Sequence, residues 1–85
     1  MNTMEIQHIA FKSGTIRFEG GREDEGMIVP HYNIKLARIE YFLIPSTRIL
    51  AYESAREQCQ SDAYRFYGTK VEEDSLVSIR LKDVT

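Results

Sequence analysis

The chain has 85 residues, 42% of them hydrophobic and 28% charged, and its formal net charge is −2. This length and composition fit one small folded domain over residues 1–85. A slightly acidic protein has no overall attraction for nucleic acid or for an anionic membrane. The single cysteine excludes a small scaffold held by internal disulfides. Because neither a signal peptide nor an apolar run of membrane-spanning length is visible, we expect a cytoplasmic protein without a membrane segment.

The N-terminal segment predicts a β-hairpin followed by a loop. Ile9 and Phe11 share one side of an extended chain, as do Ile16 and Phe18 after a turn that contains glycine. Two short apolar runs around such a turn are typical of a hairpin. Residues 19–26 then combine three glycines with four acidic residues, a composition that does not pack. They predict a solvated loop.

The middle of the chain is rich in β-forming residues, but its pattern changes at Ala37. Apolar side chains occupy even positions between residues 28 and 36, and odd positions between residues 39 and 43. A shift of one residue in a period of two indicates a β-bulge or a break between strands. Residues 28–44 are therefore either one bent strand or two strands.

Two further strands are predicted after this segment. Pro45 suits the second position of a β-turn, so residues 48–53 are expected to return as a strand beside residues 39–44. Near the C-terminus, the apolar residues from Val77 to Leu81 alternate with polar ones. That alternation is typical of a half-buried strand.

Residues 54–68 depart from the strand pattern and predict the one helix of the domain. Ser54 and Glu57 match the S-x-x-E capping box, and Gly68 suits a helix C-terminus. At about 100° per residue, small and apolar side chains gather in one sector. These side chains are Ala55, Cys59, Ala63 and Phe66. We therefore predict a helix over about residues 55–67 that packs on one face of the sheet.

Cys59 lies near the middle of this predicted apolar face. A free cysteine usually packs as a small hydrophobic residue, whereas a reactive thiol needs a lowered pKa and partial exposure. We therefore predict a buried Cys59 without a catalytic role. His8 and His31, the only histidines, show no metal-ligand spacing with it, and the acidic runs 22–25 and 72–74 lack the pattern of a calcium loop. Neither a metal nor a cofactor is expected.

The polar side of the predicted helix carries a candidate interaction surface. Tyr64 is the aromatic residue on that side, with Arg65 and Tyr67 beside it. Tyr and Arg are enriched at protein interfaces, so these three residues are candidates for contact with a partner. The alternative is a surface tyrosine that only shields its neighbours, which is common in folded proteins.

Six basic residues in predicted strands form a second candidate surface. If one helix covers one face of the sheet, the other face is partly solvated and these residues share it. Such a face would suit RNA or single-stranded DNA. The alternative, which the negative net charge favours, is a solvated face of mixed charge. The six residues are Arg17, Lys35, Arg38, Arg48, Arg80 and Lys82.

The sequence thus predicts an α+β domain, with a mainly antiparallel sheet of about five or six strands and one helix on one face. For function it favours a small non-catalytic interaction module, either a homo-oligomer or an accessory subunit that binds another protein. The alternative is a nucleic-acid-binding domain that uses the basic sheet face. An enzyme built around Cys59 or a histidine has the least support, because no coherent catalytic set is present.

Overall fold

The computed structural model describes residues 3–81, which fold into a five-stranded antiparallel sheet with short helices. The predicted α+β class and mainly antiparallel sheet are confirmed. The strands lie in the order β4-β3-β2-β1-β5. In chain order the elements are α1 (Thr3–Ile9), β1 (Ser13–Phe18), β2 (Glu23–Asn33), β3 (Arg38–Pro45), a 3-10 turn (Ser46–Arg48), α2 (Ile49–Glu57), α3 (Ala63–Tyr67), β4 (Thr69–Val71), a second 3-10 turn (Glu73–Ser75) and β5 (Leu76–Leu81).

The predicted N-terminal hairpin is wrong in its first half. The segment before β1 is the helix α1 rather than a strand. Ile6 and Ile9 stand three positions apart and therefore share one helical face. Ile6 is fully buried against the sheet. The tertiary contact of this short helix outweighs the local alternation that suggested a strand.

The predicted loop over residues 19–26 is shorter in the structure. Only residues 19–22 form the turn, because β2 already begins at Glu23. Glu23 lies opposite Arg17 and Glu25 lies opposite Thr15 in the β1–β2 register. Three of the four acidic residues, Glu23, Asp24 and Glu25, therefore extend the sheet instead of forming a free loop.

The change of pattern at Ala37 marks a hairpin turn. β2 ends at Asn33 and β3 begins at Arg38, so residues 28–44 form two strands. The Asn33 side-chain oxygen accepts a hydrogen bond from the Leu36 backbone N–H at 3.1 Å. Ala37 has a φ of 52°, in the left-handed region that non-glycine residues adopt mainly in turns.

The predicted strand over residues 48–53 is helical instead. Arg48 ends the 3-10 turn, and residues 49–53 belong to α2, in which Ile49, Tyr52 and Ala55 occupy every third position and pack toward the sheet. Six residues are too few to separate a period of two from the helical period, so the segment was ambiguous at the level of sequence.

The single helix predicted over residues 55–67 is divided into α2 and α3. The N–H of Gln60 bonds to the carbonyl of Ala55 at 3.0 Å, and the N–H of Cys59 bonds to the carbonyl of Arg56 at 2.9 Å. These two bonds make up the Schellman motif, in which the residue after the helix C-cap is left-handed. Cys59 occupies that position with a φ of 62°.

This break overturns the predicted buried face of the helix. Cys59 is exposed, and Phe66 is exposed as well. Ala55 and Ala63 are buried as predicted. One helical wheel cannot describe both helices, because the left-handed residue changes the direction of the chain between them.

Apolar side chains pack against both faces of the sheet. On one face the sheet residues pack around Ile6 of α1, and on the other face α2 and α3 cover β2 and β3. The first cluster comprises Ile6, Ile16, Phe18, Ile28, Tyr41, Leu43 and Leu76. The second comprises Met27, Val29, Ile44, Tyr52, Ala55 and Ala63.

The predicted final strand is confirmed as β5, with one irregularity. The β1–β5 register shifts by one residue between Arg17 and Phe18, so Val77 has no partner in β1. This β-bulge turns Leu76 into the core and leaves Val77 exposed. Val77 was predicted to lie on the apolar side.

Candidate functional site

Two of the six predicted basic residues share a solvated face. Arg17 of β1 and Arg80 of β5 lie on the same side of the sheet, because Arg80 pairs with Thr15, two residues from Arg17. Glu23 and Glu25 of β2 lie beside Arg17 and Thr15 on that side. The neighbouring carboxylates offset the two cations, so this face has mixed charge.

The other predicted basic residues lie elsewhere. Arg38 begins β3 at one end of β2, and Arg17 lies beside the opposite end, which puts roughly 33 Å of extended strand between them. Lys35 lies in the hairpin turn and Arg48 in a 3-10 turn, so their prediction as strand residues is wrong. Lys82 lies outside the described residues. The six residues therefore do not form one surface within residues 3–81.

Tyr64 joins α3 to the sheet rather than facing solvent freely. Its ring stacks on His31 with centroids 4.1 Å apart and meets Phe42 edge-on at 4.8 Å. Its hydroxyl and the His31 Nε2 are hydrogen-bonded at 3.0 Å. Tyr64 and Tyr67 are both half-buried and pack against the apolar cluster between the sheet and α2 and α3, whereas Arg65 is exposed. Tyr64 and Tyr67 thus help to hold α3 against the sheet, a role that the sequence did not predict.

A β-hairpin projects beyond the rest of the sheet. β1 pairs with β2 only from Glu23 to Met27, and β4 pairs with β3 only from Tyr41 to Leu43. Residues 30–40 therefore extend past both neighbouring strands, and Tyr41 lies at the base of this segment. We call this segment the β2–β3 arm.

The end of the arm is apolar and exposed. Tyr32 and Ile39 lie opposite each other in the β2–β3 register and hence on one face. Ile34 and Leu36 lie in the turn, and Ile34 is 83% exposed. Several exposed apolar side chains at one end of a hairpin are a feature of protein-interaction surfaces. We call these four residues, Tyr32, Ile34, Leu36 and Ile39, the apolar tip.

Pro30 limits the way in which a partner can contact the arm. The Ile28 carbonyl accepts a hydrogen bond from the Phe11 N–H at 3.0 Å on the β1 side of β2. The backbone N–H and C=O groups of successive residues in a strand point to opposite sides, so the backbone groups of Pro30 and Tyr32 point to the same side of β2 as the Ile28 carbonyl. On that side β1 does not reach Pro30 or Tyr32, so this edge of β2 is open. Proline has no N–H to donate, and prolines on edges discourage strand pairing. The arm is thus suited to contact through side chains rather than to extension of the sheet.

Lys35 in the turn of the arm and a group of acidic residues at its base have opposite charge. Lys35 lies in the turn, and neither Lys35 nor Arg38 makes an ion pair with another residue in the part of the chain that the structure describes. At the base of the arm, the chain leaves β4 beside Tyr41 and continues through three acidic residues. We call these residues, Glu72, Glu73 and Asp74, the acidic segment.

A shallow depression of about 170 Å³ lies at the base of the arm. Its apolar lining comes from Ile39, Tyr41 and Val71. Its charged lining includes Arg38 and the acidic segment. Glu40 and Lys70 line it as well, so the depression is mainly polar, with a small apolar area next to carboxylates.

A polar network stabilises the arm where it leaves the sheet. The Lys70 ammonium and the Glu40 Oε2 are 2.8 Å apart, and the Asn33 side-chain N–H donates to the Glu40 Oε1 at 3.0 Å. The hydrogen bond from Lys70, followed by that from Asn33, lowers the pKa of Glu40 from its ordinary value. These bonds connect β2, β3 and β4, so the arm is held in place before any partner binds.

Sequence reasoning missed the arm because it assigned Tyr32, Ile34 and Ile39 to the inner side of strands. One signal could have found it. Ile34 and Leu36 stand immediately before the change of pattern at Ala37, and a turn at that point leaves them without a sheet to cover them. Several exposed apolar residues close together in a turn favour the interpretation of that turn as a contact surface.

The chain matches no family model, no curated protein and no solved structure. Within residues 3–81, no helix is long and apolar enough to cross a membrane. The same part of the chain holds no group of three or more His, Cys, Asp or Glu residues placed to bind a metal ion.

Proposed function

We propose that the protein is a small non-catalytic interaction module that binds a protein partner through the β2–β3 arm. The observation that carries this proposal is the apolar tip, which projects beyond the sheet and includes Ile34 with 83% of its surface exposed. In this proposal the module acts in the cytoplasm, either as a homo-oligomer or as an accessory subunit.

The energetics of the tip support binding through side chains. Complete burial of one large apolar side chain contributes about 1.5–3 kcal/mol, while ordering one side chain at an interface costs about 0.5–1.5 kcal/mol. Covering the four side chains of the apolar tip is therefore favourable overall before the cost of association is counted.

The network at Glu40 adds pre-organisation. Because Lys70 and Asn33 already hold the arm against the sheet, little backbone freedom is lost when a partner binds. A flexible loop with the same side chains would bind more weakly. The arm combines an apolar end with a stiff base, which is the combination that a docking element needs.

Photo-crosslinking tests the proposal. A photoreactive amino acid replaces Ile34 in one variant and Leu50 in another. Each variant is expressed in cells of the organism that makes the protein, and the cells are irradiated. Leu50 lies on α2 and is 82% exposed, so it matches Ile34 in chemistry and exposure but lies outside the arm. We expect a discrete crosslinked protein product from position 34, either to the chain itself or to another protein, and much less from position 50. Equal products from both positions, or none from position 34, would refute the proposal.

Serine substitutions provide a second, matched comparison. We expect Ile34→Ser combined with Leu36→Ser to remove the crosslink formed through a reporter at Ile39, since the apolar contact area is lost. Leu50→Ser is the control and should leave that crosslink intact. Circular dichroism and thermal melting verify that all variants are folded, which we expect because surface substitutions usually change the stability by no more than about 0.5 kcal/mol.

A further inference from the structure

We propose that the partner of the arm is a second copy of this chain, bound by two-fold symmetry. In this dimer the arms lie antiparallel, and the turn of each arm seats in the depression at the base of the other. This inference rests on the proposed function, because it identifies the occupant of the same apolar tip.

Charge complementarity identifies the occupant. The turn of the arm carries Lys35, whereas the depression at the base is lined by Glu40 and the acidic segment, with Arg38 and Lys70 beside them. Four carboxylates outnumber two cations there, so the depression has the charge opposite to that of Lys35. An antiparallel arrangement brings Lys35 of each copy to the acidic segment of the other. A two-fold interface repeats each contact, so one complementary pair of surfaces is satisfied twice.

The apolar surfaces are complementary in the same arrangement. Ile34 and Leu36 flank Lys35 in the turn and are exposed. The depression supplies a small apolar area, mainly from Ile39 and Val71, beside the carboxylates. A turn that presents two apolar side chains on either side of an ammonium group thus meets a surface with the matching chemistry.

The alternative of edge-to-edge strand pairing is disfavoured by Pro30. Two arms that paired through their open β2 edges would bring the proline, which lacks an N–H, into the new ladder. The arms therefore pack through side chains. The contact area of two arm ends is small, so we expect a reversible dimer whose population rises with protein concentration.

Charge reversal in two complementary variants tests the dimer. One variant carries Lys35→Glu, and the other carries Glu72→Lys and Asp74→Lys. Each variant alone places like charges at both contacts, and we expect its dimer dissociation constant to rise by at least about tenfold relative to the wild type. A mixture of the two variants restores opposite charges at both contacts of the heterodimer, so we expect association to return.

Sedimentation velocity of the purified full chain over a range of concentrations measures these states, with circular dichroism to show that each variant is folded. A wild-type chain that stays monomeric at every concentration would overturn the dimer, and so would a dimer that both charge reversals leave unchanged. If the wild type is monomeric while position 34 still crosslinks to a foreign protein in cells, the dimer is wrong and the interaction module stands. If position 34 forms no crosslink of any kind, the proposed function fails as well.

Discussion

Replacing Cys59 with glycine is expected to stabilise the protein, although the sequence suggested a buried cysteine. Cys59 has a φ of 62° in the Schellman motif that ends α2. A non-glycine residue in the left-handed region costs roughly 1–2 kcal/mol relative to the right-handed one. Glycine removes that cost but makes the unfolded chain more flexible, which opposes the gain by about 0.4–1 kcal/mol. The net expectation for Cys59→Gly is a gain of about 0.5–1 kcal/mol in the free energy of unfolding.

Urea unfolding followed by circular dichroism measures this gain, and a thermal melt complements it. For a domain of this size, about 1 kcal/mol corresponds to a rise of roughly 4–8 °C in Tm. Gln58→Gly is the matched control, because Gln58 has a φ of −84° and gains nothing from glycine there. The control should lose about 0.5–1 kcal/mol. If Cys59→Gly were destabilised as much as Gln58→Gly, the left-handed assignment of Cys59 would be refuted.

The exposure of the thiol gives a companion test. Because Cys59 is exposed, a thiol reagent should label it rapidly in the native protein. Cys59→Arg should change the stability little, since the new charge stays in water. Both outcomes oppose what burial on a helix face would produce, namely slow labelling and strong destabilisation by a buried charge. If the reagent labels Cys59 only as fast as the whole protein unfolds, the exposed position of the thiol in the structure is wrong.

Three further outcomes are expected. Gly26→Ala should cost about 2–3 kcal/mol in a urea melt, because the added Cβ would lie 2.3 Å from the backbone oxygen of Ile44 and the packed strands must separate. The stability difference between wild type and Glu40→Gln should be present at neutral pH, begin to shrink as the pH falls below the ordinary carboxylate pKa, and disappear once the pH is below the lowered pKa of Glu40 in the folded state, because Lys70 and then Asn33 lower that pKa only in the folded state. Tyr64→Phe should lose about 1 kcal/mol with its hydroxyl hydrogen bond, measured by the same melt.

Matched variants separate these effects from general damage to the fold. Glu25→Ala is the control for β2 and Glu57→Gln for carboxylate removal, and both side chains are exposed. Tyr32→Phe is the control for hydroxyl loss, since Tyr32 is exposed on the arm. A tolerated Gly26→Ala would contradict the close approach of the strands. A Glu40→Gln difference that does not change with pH would contradict the role of the charged pair, and a Tyr64→Phe protein as stable as wild type would show that its hydrogen bond contributes nothing.

The β2–β3 turn and strand β5 could be predicted from the sequence because both depend on the alternation of apolar and polar residues within a short segment. The change from even to odd apolar positions at Ala37 coincides with the β2–β3 turn, since a turn resets which side chains face the core. The alternation from Val77 to Leu81 coincides with β5, although its bulge was not visible. The bulge depends on the pairing with β1, and the sequence of a strand does not by itself specify which strand it pairs with.

The helical region was misread for a related reason. Ile49–Glu57 and Ala63–Tyr67 form two helices whose inner faces are set by contact with β2 and β3. A continuous wheel over residues 55–67 assumed one axis, whereas the left-handed conformation of Cys59 divides that axis in two. Cysteine has no strong preference for this position, so composition gave no warning.

The sequence by itself determined the size, the charge balance, the α+β class and the position of the central turn, because these follow from composition and from short-range periodicity. Only the tertiary structure decided which apolar residues are covered. Ile28 and Ile34 have the same parity in the pattern, yet Ile28 is fully buried and Ile34 is exposed. The difference arises because the neighbouring strands reach only one end of the β2–β3 hairpin. Burial depends on which strands are neighbours, and the projecting arm with its apolar tip exists only at that level.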